Sequence, residues 1–121
     1  MSYDISLYRI ETKEKEQATD DEYFFDHEEN LVPFTEQQFQ ELKERLLSYN
    51  YKVSEEHDYG LYFNHPDEDH ATALLTKEAV FFTAGWNEDS IFEIRMTASE
   101  FTDTGEYAKY DFQIGEWETW E

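Results

Sequence analysis

The chain contains no cysteine, which excludes both a disulfide framework and a thiol nucleophile. Glycine and proline are scarce, at four and two residues, and no Gly-rich phosphate-binding loop can be assembled from them. No apolar run is long enough to span a bilayer, and Met1-Ser2-Tyr3-Asp4 lacks the basic flank and apolar stretch of a secretion signal. The simplest reading is a cytoplasmic bacterial or phage protein. Positive charge is the remaining shortage: 9 Lys and Arg stand against 30 Asp and Glu, for a formal charge of -21. Folding draws those carboxylates together at a cost in self-repulsion. The same charge repels phosphates, so direct binding to DNA, RNA or an anionic membrane is not expected.

What the chain does have is aromatic residues: 10 Phe, 9 Tyr and 3 Trp. A mean hydropathy of -0.89 would suit a disordered chain, but aromatic rings bury large areas per residue and imply a packed core. At 121 residues the chain is long enough for one domain and too short for two. The clearest pattern lies in residues 91–99. There Phe92, Ile94, Met96 and Ala98 alternate with Glu93, Arg95, Thr97 and Ser99, which predicts a strand with one dry face.

Residues 3–10 predict a first strand, with Tyr3, Ile5 and Leu7 on one side and Tyr8 and Ile10 on the other, as in a strand covered on both faces. Residues 11–30 read as a long acidic loop with a short apolar anchor at Tyr23, Phe24 and Phe25. Residues 35–49 predict a helix. Thr35 and Gln38 fit a capping box, Phe34 can staple the first turn, Phe39, Leu42, Leu46 and Tyr49 recur at helical spacing, and Asn50 is a stop. Glu41 and Arg45 are placed to pair along that helix.

Residues 51–56 and 59–64 suit a hairpin across His57 and Asp58, with Tyr59, Leu61 and Phe63 inward, and Pro66 ends it. Residues 71–76 and 79–84 are either two strands or one bent strand with a bulge, because Lys77-Glu78 is poor chemistry for a tight primed turn. Trp86-Asn87-Glu88-Asp89 and Asp103-Thr104-Gly105 are turns, 107–112 is a strand, and the Trp-Glu alternation of 115–121 makes a short edge segment. The expected fold class is α+β: an antiparallel sheet with one main helix packed on one face.

The local motif with the richest chemistry is His65-Pro66-Asp67-Glu68-Asp69-His70, whose imidazoles and carboxylates are ligand types for zinc or manganese. Its spacing matches no rigid metal motif. Read as a calcium loop starting at Asp67 it fails, because Ala71 offers no side-chain oxygen at the fifth position and Thr72 stands where the turn needs glycine. No Ser-His-Asp order stands out, and His27, His57, His65 and His70 read as surface histidines among acids. No catalytic residue, metal or cofactor is expected.

The distributed acids carry the functional argument. Same-face residues on a strand lie about 6.6 Å apart, so carboxylates on strands and loops can form a lattice of negative charge. Duplex DNA presents such a lattice, roughly one charge per 1.7 Å of axis, and the grooves that bind it are lined by Lys and Arg. The candidate contributors are Asp20, Asp21, Glu22, Asp26, Glu28 and Glu29; then Glu55, Glu56, Asp58, Asp67, Glu68 and Asp69; then Glu88, Asp89, Glu100, Asp103, Glu106 and Asp111. In size, charge and distribution of Asp and Glu the chain resembles the small bacterial DNA-mimic proteins, some of which bind the histone-like HU protein. That resemblance implies an inhibitor that occupies the DNA site of a basic DNA-binding protein, HU or a regulator; the sequence leaves the oligomeric state open, with a monomer favoured. The competing expectation is an immunity protein against a basic bacterial toxin, and a small metal-dependent enzyme around residues 65–70 comes third.

Overall fold

The computed structural model describes residues 3–65 and 71–118. Strand β1 (Tyr3–Arg9) buries Ile5 and Leu7 on one face and Ser6 and Tyr8 on the other, as its two-sided pattern predicts. The chain then turns directly into a helix, α1 (Ile10–Gln17), where a loop was expected. Its residues are Glu-, Lys- and Gln-rich, good helix formers without an apolar stripe. Eight residues make a marginal helix alone. This one is tied down at fully buried Thr12, whose hydroxyl accepts a hydrogen bond from the Val32 amide at 2.9 Å. Two 3₁₀ turns, Phe24–Asp26 and Glu28–Asn30, follow, and the Phe24 anchor is buried.

Helix α2 (Glu36–Ser48) begins with the expected capping box: the Gln38 amide donates to Thr35 Oγ1, and the Thr35 amide donates to Gln38 Oε1, each at 3.0 Å. It ends where Asn50 enters the left-handed region at φ 73°. The Tyr51 amide then reaches back to the Leu46 carbonyl and the Asn50 amide to that of Leu47, a Schellman closure. Leu42 and Leu46 are fully buried, with Phe39 and Tyr49 at the margin.

Strands β2 (Lys52–His57) and β3 (Gly60–Asn64) form the expected hairpin, with a register shift between Val53 and Glu55. Phe63 is buried, but Tyr59 sits in the turn and is exposed instead of inward. Strands β4 (Thr72–Thr76) and β5 (Val80–Ala84) settle the open question in favour of two strands. Thr76 makes the turn possible: its Oγ1 accepts from the amides of Glu78 and Ala79, standing in for a backbone carbonyl in the turn.

Residues 91–99 are not a strand. They lie in α3 (Glu88–Phe101), capped by Asn87 Oδ1, which accepts from the Ser90 amide at 2.8 Å. The buried positions, Ser90, Ile94, Thr97, Ala98 and Phe101, follow helical spacing. Two of them are polar, and Phe92 is 67% exposed, so hydrophobicity alone showed a false alternation. Strand β6 (Tyr107–Asp111) and the short β7 (Glu116–Glu118) complete the chain.

The seven strands form one antiparallel sheet in the order β2-β3-β4-β5-β1-β6-β7. The α+β class therefore holds, but with three helices in place of one. The main core lies between one sheet face and α2 and α3, where Ile5, Leu7, Phe63, Leu75 and Phe82 meet Leu42, Leu46, Ile94 and Phe101. A second cluster covers the opposite face: Tyr8, Phe24, Leu31 and Ala79, flanked by Phe25, Phe81, Tyr110 and Trp117. Phe25 stacks on Tyr8 with centroids 5.1 Å apart, so the acidic segment after α1 is held to the sheet by rings.

Candidate partner-binding surface

The fold sends the acidic residues to several separate places. Asp20, Asp21, Glu22, Asp26 and Glu29 are exposed on the segment that the Phe24–Phe25 anchor holds near β6 and β7. Glu16 Oε1 accepts from Trp117 Nε1 at 2.8 Å, which fixes α1 to the same side. Glu28 lies in the second 3₁₀ turn. Glu55, Glu56 and Asp58 are exposed on β2 and its turn, at the opposite border of the sheet. Glu88 and Asp89 occupy the first turn of α3, where they also favour the helix dipole, and Glu100, Asp103 and Glu106 lie at or just past its other end. A 14-residue helix is about 21 Å long, which separates those pairs in turn. Asp67, Glu68 and Asp69 lie outside the described residues, as do Pro66 and His70.

Asp111 does not belong to the surface. It is 1% exposed and accepts from the Tyr3 hydroxyl at 2.6 Å and from the Gln113 amide at 2.8 Å, so it is a structural carboxylate. Asp103 is engaged by Arg45 at 3.0 Å, and Glu106 accepts from Gln38 Nε2 at 3.2 Å. Arg45 thus pairs across to the α3–β6 connection and packs over the Phe101 ring, 4.6 Å from its centroid, instead of pairing with Glu41 along α2. The side chains of Asp20, Glu22, Asp26, Glu56, Asp58, Glu88, Asp89 and Glu100 have no hydrogen-bond or ion-pair partner among the described residues.

Sequence reasoning missed a buried polar cluster beneath α3. His65, expected at the surface, is 8% exposed, with Nε2 3.6 Å from Glu93 Oε1. Glu93 also accepts from the Tyr51 hydroxyl at 3.2 Å and from the Thr97 hydroxyl. Burial, reinforced by the Glu93 charge, pushes the Tyr51 phenol above the ordinary tyrosine range. Helical spacing puts Glu93 and Thr97 on one buried face, whereas strand alternation places both on the wet face with Arg95 and Ser99. Among the described residues no group of three or more potential metal ligands comes together. No described helix is long and apolar enough to cross a membrane.

A groove of about 600 Å³ opens between α2 and the β2–β3 turn and reaches the β4–β5 turn. Nothing in the local sequence marks it, because its walls come from three distant stretches. Comparison with family models, curated proteins and solved structures finds no match to this chain.

Proposed function

We propose that the protein binds a basic DNA-binding protein, such as a histone-like nucleoid protein or a regulator, and blocks its DNA site with surface carboxylates. The observation that carries this reading is the set of exposed acids without cationic partners. With a formal charge of -21, that many carboxylates stay uncompensated even if every Lys and Arg pairs with one. A basic groove that has lost its counterions and phosphates can satisfy its Lys and Arg side chains with them through charge-assisted hydrogen bonds. The exposed groups near β7, on the β2–β3 hairpin and at the start of α3 are the contact residues in this reading; Asp111 is not. Long-range attraction speeds the encounter and makes it sensitive to salt.

The test is a titration of purified HU with the protein at several salt concentrations, followed by competition with duplex DNA. Affinity should fall steeply with salt, and DNA and the protein should displace each other. A ternary complex in which HU holds both would defeat the occlusion mechanism. Paired charge reversals then map the surface: Glu55→Lys with Glu56→Lys, and Glu88→Lys with Asp89→Lys, should each weaken binding, whereas a neutral change at Tyr23 should not.

A further inference from the structure

The groove beside α2 departs from the rest of the surface in charge and in polarity. Its wall is apolar, built from Phe34 and Phe39 on one side and Leu61 and Tyr59 on the other. Lys43 on α2 and Lys77 in the β4–β5 turn both line it. In a chain where acids outnumber Lys and Arg by 30 to 9, two lysines converge on one groove. Neither side chain has a hydrogen-bond or ion-pair partner among the described residues. Glu36 and Asp58 share the lining, yet neither is paired with a lysine.

The walls are held in place mainly by contacts among the lining residues themselves. The Phe34 amide donates to the Lys77 carbonyl at 2.7 Å, which ties the entry to α2 onto the β4–β5 turn. His57 stacks on Tyr59, with centroids 5.0 Å apart and an interplanar angle of 7°, and the Tyr59 hydroxyl donates to that of Tyr62 at 3.2 Å. A ring half exposed to water is therefore fixed in place at the groove's rim, where a second ring can pack on it. A volume of about 600 Å³ lies in the range of small-molecule sites, which combine apolar walls with a few convergent polar groups.

We propose that this groove binds a small organic anion that carries an aromatic ring, with the ring between Phe39 and Tyr59 and the carboxylate or sulfonate held by Lys43 and Lys77. The site is distinct from the acidic surface and does not depend on the partner proposed above. The lining's two lysines and two acids cancel in formal charge, so the ligand class rests on Lys43 and Lys77 being unpaired with Glu36 or Asp58 and open to an anionic group.

The probes are 1-naphthylacetate and its uncharged relative 1-naphthylacetamide, followed by amide chemical-shift changes in the intact protein. The acetate should shift resonances around Phe39, Lys43, Tyr59 and Lys77, and the acetamide should bind at least about tenfold more weakly, the loss expected for a charge-assisted contact. Substituting Lys43→Gln together with Lys77→Gln, both outside the core, should remove the preference for the acetate while leaving the acetamide affinity unchanged. Equal affinity for the two probes overturns the proposal, as does a shift pattern centred elsewhere or an acetate affinity that survives the double substitution.

Discussion

Gly60 shows how little room a strand can leave. A Cβ at this position would lie 2.5 Å from the Leu75 carbonyl oxygen, a backbone atom of the neighbouring strand that cannot step aside. Gly60→Ala is therefore expected to destabilise the protein by about 1–3 kcal/mol, the usual cost of overpacking, measured as a lowered urea midpoint. The buried phenols give a pH prediction. Burial chiefly pushes Tyr8, Tyr51 and Tyr107 above the ordinary range, with carboxylates adding for the last two: Glu93 at Tyr51, Glu106 and Glu41 at Tyr107. The fold favours their neutral form, so their contribution is fully present below the unfolded-state value of about 10 and is lost as pH rises from there through the folded values. Tyrosinate absorbance should show these three ionising above the ordinary tyrosine range and together with loss of structure. Normal titration of all nine tyrosines in the folded protein would contradict it.

At the level of elements, what the sequence reveals depends on whether a segment's contacts are written in apolar residues. Helix α2 was legible because its stripe, its Thr35–Gln38 box and its Asn50 stop all agree. Helix α3 was not, since Ser90 and Thr97 hold core positions while Phe92 and Met96 face outward, so a period of two outscored the true one. The signal that could have corrected this is Asn87 followed by Glu88 and Asp89, a cap and an acidic first turn. That cap carries weight in the structure: Asn87→Ala should cost about 1 kcal/mol, readable by thermal or chemical denaturation. A change within error would mean that the first turn is held by packing alone. Helix α1 escaped notice for the opposite reason, because it is polar after Ile10 and is fixed by buried Thr12 and by the Glu16–Trp117 hydrogen bond and not by an apolar stripe.

Considered whole, the molecule places a heavily negative surface around two apolar layers. The acids were legible as a composition but their grouping was not: among the described residues Asp111 is interior, Asp103 is bound to Arg45, and the other candidates divide among the sheet's two borders and the two ends of α3. The groove was invisible for the same reason, since Lys43, Tyr59 and Lys77 meet only through the fold. Self-repulsion on this scale predicts that sodium chloride raises the melting temperature, as screening shortens the range of like-charge contacts to about 10 Å at 0.1 M. A melting temperature that does not respond to salt, or falls, would show that the carboxylates are farther apart than the fold implies.

Strand β2 is exposed along its whole length and, among the described residues, has a partner on one side only. Its free flank is a template on which another chain's backbone could hydrogen-bond, and Lys52, Glu55 and Glu56 are the side chains that discourage such addition. Glu55→Thr with Glu56→Val should accordingly convert a dispersed solution into one that self-associates, seen as a concentration-dependent rise in light scattering. By this account some of the negative charge guards each molecule against its own copies.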